Sequence, residues 1–190
     1  HPRDPARRAG ALRGMKEYSV IIVDDHPVVR EGYRRLIDLQ SGLKIVGEAE
    51  DARSAYAQFR ALQPDVVVMD VTLPGASGVE AVRHIRQYDD SARIVVFTMH
   101  LSAAFALKAI KAGATSYITK SSDPKTLIEA IFGALHGRTV ISPDVIEAIA
   151  RDRISGMGTG LSDLSPRQTE ILCLLARGWP AERIAEELAI

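Results

Sequence analysis

The 190-residue chain has a single cysteine, Cys173. An intramolecular disulfide is therefore excluded, and a reducing compartment, the cytoplasm, is the expected location. Cys173 itself reads as a small apolar filler on a helix. No apolar run approaches the roughly 20 residues of a membrane span, so no membrane partner is expected. Charge of one sign is lacking as well: Lys+Arg and Asp+Glu both number 24. That balance argues neither for nor against nucleic acid. Residues 1–14 hold Arg3, Arg7, Arg8 and Arg13 but no apolar periodicity. With Met15 directly before the first apolar run and no signal-type apolar core, they are expected to be a tag or non-native tail.

What the chain does have is apolar content, 46% of residues, enough for a packed core. Its length suits one ordinary domain and part of a second. The most informative stretch is Val66-Val67-Val68-Met69-Asp70, followed by the turn-forming Leu73-Pro74-Gly75. A short apolar run bounded by turn residues reads as a strand buried on both faces. Asp70 is then delivered at the carboxyl end of that strand, the rim where open parallel sheets build their sites. Val20-Ile21-Ile22-Val23 ends in the same way, on Asp24-Asp25. One such acid is explained as a helix or turn cap. Three at neighbouring strand ends repel one another unless a cation sits among them, and an all-oxygen set suits Mg²⁺.

From Tyr18 onward, strand and helix patterns alternate. Strands are expected at 18–23, 44–49, 65–69, 93–98 and 116–119. Helices are expected at 27–40, 53–62, 78–87, 102–112 and 124–136. Val29, Tyr33, Leu36 and Ile37 share one face of the first helix, and Leu127, Ile131 and Leu135 one face of the fifth. Five strands and five helices in strict alternation predict an α/β fold, a doubly wound five-stranded parallel sheet with helices on both faces.

Gly137 to Leu161 reads as a connector, with a short helix at 143–153 and then the flexible Ser155-Gly156-Met157-Gly158-Thr159-Gly160. These glycines follow no strand, so they do not form a phosphate-binding loop. Ser165 and Gln168 then form a capping box, with Pro166 in the first turn. Ile171, Leu172, Leu174 and Leu175 give that helix a core face, Gly178 ends it, and Pro180 opens another. Two short helices joined by a tight turn fit either the front of a helix-turn-helix or a plain αα-hairpin.

The strand-end residues describe one chemistry. A carboxylate accepts a phosphoryl group when its charge is neutralised and the phosphoryl oxygens are clamped. Asp70 is the candidate acceptor. Mg²⁺ held by Asp25, Asp70 and Asp24, the last directly or through water, supplies neutralisation. Lys120, at the end of the fifth strand, suits a phosphate oxygen as a compact point charge. Thr98, at the end of the fourth, supplies a hydroxyl. A phosphohydrolase with an aspartyl-phosphate intermediate uses the same acceptor, but it wants a second acid two residues on, where this chain has Thr72. His26 and His84 read as solvated.

Val23-Asp24-Asp25-His26-Pro27, Met69-Asp70-Val71-Thr72-Leu73-Pro74-Gly75, Phe97-Thr98 and Tyr117-Ile118-Thr119-Lys120 resemble the receiver domain of bacterial two-component response regulators. Leu164-Ser165-Pro166-Arg167-Gln168-Thr169-Glu170-Ile171-Leu172 and Ile184-Ala185-Glu186-Glu187-Leu188 resemble the LuxR-type DNA-binding domain. Together they suggest the NarL/FixJ subfamily.

The resemblance implies a flavodoxin-like receiver at 15–137, a linker at 138–161 and the first part of a small all-α helix-turn-helix domain at 162–190. It implies phosphorylation of Asp70 by a cognate sensor histidine kinase, with the Thr72 backbone carbonyl joining Asp24, Asp25 and Asp70 around Mg²⁺. Thr98 and Tyr117 are implied to move together as a switch, with Lys120 gripping the phosphoryl group. Thr72 and His100 then flank the path of the attacking water and tune a slow dephosphorylation, without true enzymatic turnover. Homodimerisation on phosphorylation and promoter DNA as partner of the complete protein are implied as well.

Three positions depart from the family pattern: Ser77 before Gly78, Gln168 and Pro180. The recognition helix is expected to lie beyond Ile190, and 161–190 hold five acids against three bases. Non-specific DNA affinity depends on cations, so specific DNA binding is not expected of this chain alone. A receiver that works only through protein contacts is the remaining alternative.

Overall fold

A computed structural model describes residues 17–74 and 77–154; the expected tail at 1–14 and helix-turn-helix at 162–190 lie outside them. The elements are β1 (Tyr18–Val23), α1 (Pro27–Asp38), β2 (Leu43–Ala49), α2 (Ala52–Leu62), β3 (Val66–Met69) and α3 (Gly78–Tyr88). They continue as β4 (Ile94–Thr98), α4 (Ala103–Lys111), β5 (Ser116–Thr119), α5 (Pro124–Leu135) and α6 (Pro143–Ile154). Every strand and helix expected between residues 18 and 153 is present, with ends shifted by at most two residues, the usual fraying margin.

The strands form one parallel sheet in the order β2-β1-β3-β4-β5. Side chains alternate across it with the period of two that a pleated strand imposes. Val20, Ile22, Val66, Val68, Val95, Phe97 and Ile118 face α1 and α5. Ile21, Val23, Val67, Met69, Ile94, Val96 and Tyr117 face α2, α3, α4 and α6. Both faces are covered, which explains why β3 reads as an unbroken apolar run rather than an alternating one.

Helix starts are set by local chemistry. Asp51 and Ser54 form a reciprocal capping box on α2, Ser102 caps α4, and Asp123 caps α5 ahead of Pro124. Such caps contribute about 1 kcal/mol each.

The winding reverses between β1 and β3. Two strand ends thus part from their following helices on opposite faces and leave a crevice at the carboxyl rim, the position where doubly wound sheets place ligands. The segment after Gly137, expected as a connector, begins as part of the packed body. Ile141 bridges Tyr117 in parallel along the free edge of β5. Val145 and Ile149 of α6 are buried in the same core cluster as Tyr117. No helix among the described residues is long and apolar enough to cross a membrane.

Candidate phosphoryl-acceptor site

Each acid arrives at the rim on a fixed backbone. The Asp70 amide donates to the Val23 carbonyl at 2.9 Å, tying the end of β3 to the end of β1. The Asp24 amide donates to the Ala49 carbonyl, fixing β1 against β2. Asp24 and Asp70 are both only 3% exposed. Lys120 Nζ bridges them, donating to Asp24 Oδ2 and to Asp70 Oδ2 at 2.5 Å each. The remaining oxygens take backbone donors: Thr72 N–H to Asp70 Oδ1 at 2.8 Å, His26 N–H to Asp24 Oδ1 at 2.9 Å. Sequence positions far apart, 24, 70 and 120, are thus brought into direct contact.

This geometry sets the electrostatics. Burial pushes the Asp70 carboxyl up, but the Lys120 hydrogen bond, the Thr72 amide and the Lys120 charge outweigh it and hold Asp70 below the ordinary carboxylate range. Burial likewise pushes Lys120 down, and its bonds to Asp24 and Asp70 overcome that and raise it. Both groups are therefore charged near neutral pH. Lys120 also leans over the Phe97 ring, 5.9 Å from its centroid, and Phe97 meets Tyr33 edge-on at 4.5 Å.

The donor set fits a divalent cation. Asp24, Asp25 and His26 present ligand atoms within 4.8 Å of one another. Oδ1 of Asp25 is shielded from solvent and makes no hydrogen bond. His26 Nδ1 lies 2.8 Å from it, an ion pair only when the imidazole is protonated. Lys120 reaches Asp24 and Asp70, and among the described residues no lysine or arginine pairs with Asp25. His26, expected to be merely solvated, is exposed but turned onto this acid pair. His84 is exposed, as expected.

The hydroxyl residues sit beside the acids. Thr98, fully buried, shares a 3.3 Å contact with Thr72 through their hydroxyls, and its Oγ1 accepts from the His100 amide. Lys120 N–H donates to the Thr98 carbonyl at 2.7 Å, tying the ends of β4 and β5 together. Tyr117 is 0% exposed, with its ring already inside and its hydroxyl donating to the His100 carbonyl at 2.9 Å. Burial, with Asp70 and Asp144 adding to it, pushes that hydroxyl's pKa up, so it stays a donor. The His100 imidazole stacks on Phe105 of α4, centroids 4.9 Å apart and 12° from parallel.

Two supports escaped sequence reasoning. Arg30 on α1 donates to the Asp24 carbonyl and to Glu48 on β2, and Arg34 reaches the same Glu48. The i, i+4 pair of arginines was visible, but the strand acid it grips was not. At the other end of the acceptor loop, Ser77 caps α3, and the Gly78 amide donates to the Val71 carbonyl. A Cβ on Gly78 would fall 2.4 Å from Val71 Cα and 2.6 Å from the Asp70 carbonyl oxygen. Only glycine lets α3 start this close to Asp70.

Comparison with known proteins agrees with this arrangement. Residues 20–132 match the response regulator receiver domain. The nitrate/nitrite response regulator protein NarL of Escherichia coli is 31% identical over 182 residues, covering 94% of this chain and 84% of NarL. A solved LuxR-family two-component response regulator from an Aurantimonas species is 55% identical, with a TM-score of 0.71, covering 73% of this chain and 99% of that one. A structure of Salmonella typhimurium RcsB, described for its DNA interaction, is 27% identical with a TM-score of 0.70 and covers 92% of this chain and 85% of its own. With its sheet order, its rim acids and these relatives in agreement, the chain belongs to the two-component response regulators of the NarL/FixJ family.

Proposed function

We propose that Asp70 is the phosphoacceptor of this regulator, that a sensor histidine kinase is the donor, and that the acyl phosphate controls a DNA-binding domain whose first part is 162–190. The observation that supports this most directly is the Lys120 ammonium shared between Asp24 and Asp70. Asp70 Oδ2 attacks phosphorus, the P–N bond to the donor imidazole breaks, and the leaving nitrogen keeps the electron pair. Lys120 then transfers its bonds from carboxylate to phosphoryl oxygen, and Thr98 turns its hydroxyl from Thr72 towards the new group. Asp24, Asp25, Asp70 and the Thr72 carbonyl are assigned as the Mg²⁺ ligands. When bound, Mg²⁺ neutralises the phosphoryl oxygens during transfer.

On this reading the receiver spans 15–137 and the linker 138–161, with its first part docked on the receiver. Release of phosphate is slow: Thr72 is no general acid, so the chain is a phosphoacceptor with slow self-dephosphorylation and not a turnover enzyme. Thr72 and His100 tune that release. Homodimerisation on phosphorylation, a cytoplasmic location and promoter DNA as target complete the reading.

The test is labelling of the full chain by phosphoramidate, read by intact mass. Wild type should gain one phosphoryl group in a Mg²⁺-dependent manner, Asp70→Asn none, and Asp25→Ala almost none. Normal, Mg²⁺-independent labelling of either variant would overturn the site assignment. Sustained phosphate release over many turnovers would favour the hydrolase instead.

A further inference from the structure

Lys120 is held at its tip by the acids, but its neck is held from elsewhere. Of the residues on either side of it, Thr119 donates its hydroxyl to Asp144 Oδ2 at 2.5 Å, and the Ser121 hydroxyl is shared between Thr119 Oγ1 at 3.1 Å and the same carboxylate oxygen at 3.3 Å. Asp144 lies in the first turn of α6, 23 to 25 residues further along the chain. The preceding residue but one, Ser142, is fully buried and its hydroxyl accepts from the Thr119 amide at 3.2 Å. α5 intervenes in sequence, yet it makes none of these bonds.

The same segment is fastened to the switch tyrosine. Tyr117 N–H donates to the Val140 carbonyl, and its own carbonyl accepts from Ser142 N–H, so 140–142 act as an extra edge on β5. Val145 and Ile149 then bury against the core that holds Tyr117, Ala106 and Leu107. α6 therefore touches both moving parts of the site: the base of the phosphate-gripping lysine and the ring of the switch.

We propose that Asp144 is a positioning residue for phosphoryl capture at Asp70, and that occupancy of Asp70 and docking of α6 are consequently linked. The inference rests on the assignment of Asp70 as acceptor. Physically, Lys120 must move its ammonium from two carboxylates to a phosphoryl oxygen without losing its backbone position. Three hydrogen bonds from α6 and its approach fix that position: two to Asp144 and one to Ser142. If α6 holds Lys120 in the geometry that suits the phosphoryl group, the phosphoryl group stabilises docked α6 by the same factor, since linkage between two binding events is reciprocal. The helix leading into the second domain is thereby informed of the state of Asp70 through covalent neighbours of Lys120.

The experiment uses the full chain with beryllofluoride as the phosphoryl mimic in saturating Mg²⁺. Affinity is read by calorimetry, and amide hydrogen exchange is monitored over 140–149. Wild type should bind beryllofluoride with added protection of 140–149. Asp144→Asn, which keeps the shape of the side chain, should weaken beryllofluoride about fivefold, near the low end of measured couplings. Its Mg²⁺ affinity should stay within about twofold, and beryllofluoride should no longer protect α6. Ser121→Ala, on the solvent side of the cluster, should give a smaller loss in the same direction.

Equal beryllofluoride affinity in wild type and Asp144→Asn would overturn the proposal even if α6 exchanged faster, since that would show a purely structural role. Unchanged protection of α6 in beryllofluoride-bound wild type would overturn it too. Asp70→Asn serves as the control. If wild type and Asp70→Asn gave the same heat, the acceptor assignment itself would fall, and the inference with it.

Discussion

Two helices on opposite faces of the sheet, α5 and α4, bury different side chains. On the face covered by α1 and α5, α5 buries two branched side chains, Leu127 and Ile131, beside Ala130 and Ala134, and lies across β3, β4 and β5. On the other face α4 buries Ala103, Ala106, Leu107 and Ala109, and its neighbours are β5, α3 and α6. Alanine removes far less apolar area from water than leucine or isoleucine, so α4 is held to the sheet by much less free energy. The polar groups divide in the same way. Lys120 leans on Phe97 of the branched face, while Thr98 and Tyr117 share hydrogen bonds with His100 next to α4. Lys120 stands on the α5 face, and the residues proposed as the switch, Thr98 and Tyr117, stand on the α4 face.

The contrast can be broken most severely from the α5 side. Ile131→Ala should cost about 4 kcal/mol of stability through lost transfer free energy and a cavity, measured by urea unfolding. Beryllofluoride affinity of the folded fraction should stay within about twofold. A larger loss of affinity than of stability would show that the α5 face also belongs to the switch.

Next in size is Lys120→Met, which leaves Asp24 and Asp70 buried without their cation. Removing one partner of a buried ion pair costs about 3 kcal/mol or more, so the variant should unfold at lower urea in the absence of Mg²⁺ and recover in its presence. The pH dependence has a defined sign. Asp70 is depressed below 3.8 and Lys120 raised above 10.5. The wild-type pairing is therefore fully present between those ordinary values, is lost as pH falls through the depressed Asp70 value, and is lost again as pH rises through the raised Lys120 value. The deficit of Lys120→Met should shrink in acid as the orphaned carboxylates protonate; a constant deficit from pH 7 to pH 3 would contradict this electrostatic account.

How much of this was legible beforehand depends on the kind of bond involved. Strands ended by Asp25, Asp70, Thr98 and Lys120 were readable because buried parallel strands are apolar and their rim residues stand out. The contact of Lys120 with both Asp24 and Asp70 was not readable, because it depends on the sheet order, and alternation of strands and helices is compatible with more than one. The supports were not readable either. Glu48 under Arg30, the turn of His26 onto Asp25, and Asp144 beneath Thr119 and Ser121 are polar pairings between elements, and no periodicity marks them. Asp144 after Ser142-Pro143 looks like an ordinary first-turn acid. The connector beginning at Gly137 also gave no sign that Ile141 would line the edge of β5, since a single bridged residue leaves no pattern.

On the α4 face the expected effects are smaller. Tyr117→Phe removes the bond to the His100 carbonyl and leaves that acceptor buried, a loss of about 1 kcal/mol by urea unfolding. Its consequence for function should exceed its consequence for stability, seen as altered protection of α4 in beryllofluoride. If stability falls and protection does not change, the hydroxyl is packing rather than switch.

The smallest expected effect belongs to His100. Its ring stacks on Phe105 and, on the proposed reading, screens the acyl phosphate from water. His100→Ala should speed loss of the phosphoryl group about threefold, well below the roughly hundredfold or more of a lost general base, with unfolding unchanged. Decay at the wild-type rate would place the ring off the path of the attacking water.

The approach of α3 to the acceptor loop, with no room for a Cβ at Gly78, carries a consequence for reading related genomes. A copy of this gene with every acid, the lysine and the threonine intact, but with any side chain at position 78, would have its acceptor carbonyl displaced from the outset. Such a copy would score as complete by its reactive residues and still be a poor receiver of signals, because the defect sits in a residue that has no chemistry of its own.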